Sequence, residues 1–76
     1  MNLGDLVRIK PYEYPPSYEW YILTVPSTTI ESHNIAGRFN QNQVGTVIEM
    51  GKYNVRILVG DKIGWITRGI LCKVYE

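Results

Sequence analysis

Apolar and polar positions alternate most clearly in the second half of the chain. In "YNVRILV" (53–59), Tyr53, Val55, Ile57 and Val59 fall on one side, and Asn54, Arg56 and Leu58 on the other. A two-residue period predicts a strand with one buried face. "VGTVIEM" (44–50) is rich in β-branched residues, and its Gly45 marks a bulge or a close approach. "Met50-Gly51-Lys52-Tyr53" and "Val59-Gly60-Asp61-Lys62" put glycine first in two-residue turns, the type II′ hairpin pattern. "KIGWIT" (62–67) completes a predicted three-strand meander. "RGIL" (68–71) is too short for an α-helix and suits one 3-10 turn, and "LCKVYE" (71–76) reads as a last strand. Near the start, Gly4-Asp5 predicts a turn. "LGDLVRIK" (3–10) then sets Val7 and Ile9 opposite Arg8 and Lys10.

No window sustains apolar residues at i, i+3, i+4 and i+7 over ten positions, so almost no α-helix is expected. The prediction is a single all-β domain, residues 1–76, with about five short strands bent into a small barrel. Closing the sheet removes the edges that a short flat one would expose.

Residues 11–42 form an excursion longer than an ordinary structureless connection. "EWYILTV" (19–25), ended by Pro26, is its best strand, and "TTIESHNIAGRF" (28–39) is a weaker second arm. The excursion opens on "PYEYPPSYEWY" (11–21), with five aromatics and three prolines in eleven residues. Alternation puts Tyr18 and Trp20 on one face, and Glu19 and Tyr21 on the other. Pro15-Pro16 is read as stiffening a bend between Tyr14 and Tyr18. The PPxY match at 15–18 is the kind that arises by chance in four residues.

At 76 residues the chain buries only about 60% of its unfolded surface, so a docking partner would add needed stability. Its one cysteine, Cys72, permits no internal disulfide and points to a reducing compartment. The start of the chain lacks a secretory pattern, and no apolar run approaches the length that spans a bilayer. The expectation is therefore a chain that is neither secreted nor membrane-bound. Net charge is +1, unevenly spread. Between Pro11 and Gly37 stand Glu13, Glu19 and Glu31 with no Lys or Arg, while the remainder carries all eight cations and four acids. An acidic aromatic arm on a basic barrel fits either folding over its own barrel or meeting a partner.

The segments "GDLVRI", "VGTVIEM", "NVRILV" and "GWITRGILCKVYE" resemble the SH3-like barrel, and more narrowly small SH3-like proteins encoded by tailed bacteriophages. The resemblance covers residues 3–10 and 43–76. It implies that the excursion occupies the place of the elongated first loop, which flanks the ligand groove in that fold. "LVRIKP" and "QVGTVIEM" also resemble a small SH3-like subunit of photosystem I, which lacks a comparable aromatic arm. A plasmid-borne dihydrofolate reductase family of the same fold carries a "VQIY"-type strand that is missing from this chain.

Catalytic equipment is sparse. His33 is the sole histidine and sits in polar "ESHN"; no second histidine or cysteine stands at metal-ligand spacing. Cys72 reads as a small core residue rather than a nucleophile paired with His33. Asp5 and Asp61 fall at turns, where aspartate is favoured for backbone reasons. No glycine-rich phosphate loop is present. The chain is expected to be non-enzymatic, with no cofactor.

The leading expectation is a protein-binding structural module. It would be a phage decoration, cement or connector-type subunit, found in the virion or the infected cell's cytoplasm and docked on capsid or tail proteins. Tyr14, Tyr18, Trp20 and Tyr21, with Phe39 as a fifth, are the expected contacts, because Tyr and Trp dominate protein–protein hot spots. The alternative is a regulatory or accessory module that binds nucleic acid or a host protein. Its surface would be a basic face of Arg56, Lys62, Arg68 and Lys73, with Trp65 for stacking. Against nucleic acid stand the acids of the aromatic arm and a pI near 7.9.

Overall fold

The computed structural model describes residues 1–27 and 29–74. The strands are β1 (Leu6–Ile9), β2 (Glu19–Leu23), β3 (Ile35–Asn40), β4 (Gly45–Met50), β5 (Asn54–Val59), β6 (Lys62–Thr67) and β7 (Leu71–Lys73). Two 3-10 turns, Ser32–Asn34 and Arg68–Ile70, precede β3 and β7, and no α-helix occurs among the described residues. Thr28, within the expected second arm, and Tyr75 and Glu76, within the expected last strand, lie outside the described residues.

The strands form one sheet in the order β3-β2-β6-β5-β4-β1-β7, antiparallel throughout and curled into a half-barrel. About five strands were expected, and the described residues form seven. The additional pair, β2 and β3, is the hairpin of the excursion. It joins the same sheet through a single ladder pair, Leu23 with Trp65 of β6.

The inner face follows the alternation. Val7 and Ile9 of β1, Val47 of β4, Val55, Ile57 and Val59 of β5, and Ile66 of β6 are buried together. Ile22 and Phe39 reach the same core from the hairpin, and Ile70 and Leu71 from the second 3-10 turn and β7. Gly45 is a close approach rather than the bulge. A Cβ there would stand 3.0 Å from the Ile57 Cδ1, whereas the irregularity in register falls between Val47 and Glu49.

The two glycine-first turns differ. Gly60 has φ +61°, as a type II′ first position requires, and Val59 pairs with Lys62 across it. Gly51 is not in the left-handed region, which corrects the expectation of a second such turn. Its connection spans three residues, 51–53, and the Gly51 N–H donates to the Asn54 carbonyl at 2.8 Å. Glycine there provides space, since a Cβ would run into Asn54 and stand 3.1 Å from the Trp65 ring. Tyr53 consequently sits before β5 and is exposed, not inward with Val55.

Candidate functional site

The hairpin begins with two successive turns. The Lys10 carbonyl accepts from the Tyr14 N–H at 3.2 Å, and the Pro15 carbonyl accepts from the Tyr18 N–H at 2.9 Å. Pro16 occupies the second position of this latter turn, where its fixed φ is favourable. The bend brings the Tyr14 and Tyr18 rings to 4.4 Å between centroids, and Tyr18 stacks on Trp20 at 5.9 Å with planes 12° apart. All three side chains pack partly against the core. Burial, and then the Tyr14 phenol beside it, push the Tyr18 hydroxyl pKa above its ordinary value.

The expected aromatic contacts therefore divide. Tyr14, Tyr18 and Trp20 form a ladder of neighbouring rings, tilted at Tyr14 and stacked at Trp20, that is half-buried on the barrel. Tyr21 points the other way and lies beneath the Arg38 guanidinium, 5.8 Å from it. Phe39 is corrected outright: it is fully buried, the largest such side chain in the core, and offers nothing to a partner.

Trp65 is where hairpin and barrel meet. Ladder pairs align Leu23, Trp65, Arg56 and Glu49 in one lateral row across β2, β6, β5 and β4. This row alternates with the core residues and so faces outward. Leu23 and Trp65 are nevertheless 4% and 8% exposed and stand apart from the main core cluster. Together they form a small second core on the outer face, covered by the segment that follows β2 and by the 51–53 connection.

Two cavities flank this pair. One of about 250 Å³ is lined by Trp20, Tyr21, Leu23, Ser27, Ile30, Trp65, Ile66 and Thr67. The other, of about 300 Å³, is lined by Pro26, Gly51, Lys52, Tyr53, Asn54 and Trp65. Trp65 borders both, so the two form one groove region around this residue. Among the described residues the lining includes no acid, and Lys52 is its charged side chain, with Nζ 5.3 Å from the Tyr53 ring centroid. Arg68 fixes that end of the groove. Its backbone N–H donates to the Tyr53 carbonyl at 3.1 Å and its guanidinium to the Lys52 carbonyl.

The expected basic face is dispersed. Arg56 pairs with Glu49 at 3.4 Å, and Arg68 is committed to the 51–53 connection. The Lys62 stem lies across Gly37 of β3, where a Cβ would be 2.8 Å from Cδ. Lys73 lies on β7, the opposite end of the strand order. Trp65 thus joins the aromatic arm instead of a cationic surface. Cys72, expected in the core, is half-buried opposite Arg8 of β1, and exposed His33 has Glu31 as its partner at 3.0 Å. Among the described residues no three metal-ligating side chains gather, and no helix is long and apolar enough to cross a membrane.

Pro26, Ile30, Lys52 and Tyr53 were missed by sequence reasoning. They stand in turns and connections with no pattern to join them, and the Leu23–Trp65 pairing is what collects them. Comparison of the chain with protein-family models, with curated proteins and with solved structures returns no match.

Proposed function

We propose that this chain is an SH3-like protein-binding module that docks on a larger assembly through the groove around Trp65. Three features support the SH3-like reading. β1 pairs with both β4 and β7, β4–β6 form a meander, and a 3-10 turn directly precedes the last strand. The β2–β3 hairpin stands where that fold carries its elongated first loop. The assembly in view is a tailed-phage particle, with the chain as a decoration, cement or connector-type subunit on a capsid or tail protein.

The observation that carries the docking site is convergence. Both tryptophans of the chain, Trp20 and Trp65, line one apolar groove with Tyr21. Aromatic side chains in a concave, mostly apolar setting are the usual anchors of protein interfaces. Docking would also stabilise a domain of this size by mass action.

Mass spectrometry on particles purified from cells that carry the gene, set beside the soluble lysate, tests the setting. The chain is expected in the particles at a fixed stoichiometry. Recovery from the soluble fraction alone would overturn the structural role.

A further inference from the structure

Arg8 stands apart from the other three arginines. Arg38 meets Glu19 at 3.7 Å, Arg56 meets Glu49 at 3.4 Å, and Arg68 donates to the Lys52 carbonyl. Among the described residues none gives Arg8 a side-chain acceptor, and its Nε is buried with no hydrogen-bond partner. A buried donor on a charged guanidinium loses its hydration without replacement, and that cost is avoided only if something occupies the position.

Arg8 lines a cavity of about 210 Å³ with Pro11, Tyr14, Pro16, Gln41 and Asn42. Its walls are held by backbone contacts. The Gln41 amide donates to the Tyr14 carbonyl at 3.1 Å and to the Pro15 carbonyl at 3.3 Å. The Asn42 backbone N–H is taken by the Asn40 side chain at 2.9 Å, and the Asn42 carboxamide has no partner within the described residues. Among the described residues no acid lines the cavity. The nearest cation in sequence, Lys10, already faces Glu13 at 3.7 Å.

We infer that this cavity binds a carboxylate. The ligand would sit against the Arg8 guanidinium with the Asn42 carboxamide as a second donor, its apolar part against Pro11, Tyr14 and Pro16. A planar fork of N–H donors matches two carboxylate oxygens. A single guanidinium balances the charge of one carboxylate. The site lies at the Tyr14 end of the aromatic ladder, and Trp20 at the other end borders the Trp65 groove. It stands independently of the docking reading.

The test is an NMR titration of the ¹⁵N-labelled chain, following the Arg8 Nε–H resonance in sodium acetate against sodium chloride of equal ionic strength. A saturable shift in acetate alone is expected, with Arg8→Lys weakening the response at least tenfold. The same drift in both salts would mean a water-filled cavity and would overturn the proposal. Saturation by inorganic phosphate at lower concentration than by acetate would overturn the choice of a carboxylate. Should Arg8→Lys fail to fold, Asn42→Asp at an exposed position keeps the question open to measurement. It places a carboxylate beside the guanidinium and should abolish the acetate response, so unaltered acetate binding in that variant would also refute the site.

Discussion

Gly64 is a position with no room for an added methyl group. A Cβ there would lie 2.9 Å from the Ile22 Cβ and 3.1 Å from the Leu23 carbonyl, neither of which is the free end of a flexible side chain. Gly64→Ala is expected to cost about 1–3 kcal/mol, by forcing β2 away from β6. Gly69 is the control: a Cβ there meets nothing closer than 3.9 Å, so Gly69→Ala should be near neutral in the same chemical denaturation series. A second effect at this scale is set by Tyr18, whose hydroxyl pKa burial and Tyr14 raise above the ordinary 10.0. The folded state thus holds this proton more tightly than the unfolded chain. The resulting stability is fully present below the ordinary phenol range and is lost as pH rises through the raised value. Unfolding free energies measured from about pH 9 upward should fall more steeply for the wild type than for Tyr18→Phe. Parallel profiles for the two proteins would remove Tyr18 from the account.

The β2–β3 hairpin depends on Asn34 at its turn. The side chain of this buried residue accepts from the Glu31 N–H at 3.0 Å and donates to the Thr29 carbonyl at 3.3 Å. Its backbone carbonyl accepts from the Thr24 N–H at 2.8 Å. Asn34→Ala leaves the Glu31 N–H without its partner, leaves the Thr29 carbonyl with the Ser27 hydroxyl alone, and should cost about 1–3 kcal/mol. Hydrogen exchange would show early loss of protection at the Glu31 amide, while the β4–β6 meander stays protected. Legibility in the sequence divides along the same line. β5 alternates strongly with Val55, Ile57 and Val59 inside, and Gly60 announces its turn, so its existence and buried face could be read; β4 and β6 could be read as strands, without an assigned buried face. β3 reads weakly because "IAGRFN" spends its positions on Ala36 and Gly37, and Gly37 is explained only by the Lys62 stem lying across it. Phe39, expected as a fifth aromatic contact, has polar chain neighbours that give no sign of its burial. Pairing with Trp20 puts it on the core side instead. The groove escaped notice for a related reason. Leu23 and Trp65 occupy the outer phase of their strands, and only their cross-strand pairing shows that this outer position is covered.

Across the whole molecule, the acidic arm is not held to the barrel by charge. Glu19 pairs with Arg38 inside the hairpin, and Glu13 with Lys10 at its entrance; all four side chains are partly exposed. Exposed pairs of this kind are worth about 0–1 kcal/mol each. The arm is attached instead by apolar contact, with Ile22 and Phe39 in the main core and Leu23 against Trp65 in the second. That attachment allows the intramolecular and intermolecular roles of the arm's aromatics to be separated. Trp20 serves both, since it packs partly on the core and lines the groove. Tyr21 lines the groove but lies outside the core cluster. Under the docking proposal, Tyr21→Ala should weaken docking by about 1–2 kcal/mol while leaving the unfolding midpoint almost unaltered. Trp20→Ala should weaken it by about 2 kcal/mol or more and lower stability as well. The measurement is co-sedimentation of labelled variants with particles stripped of the native chain, run beside denaturation of each free variant. Docking retained by both variants would confine the aromatic arm to packing its own barrel, and Tyr21 is the arbiter because its removal leaves the core intact.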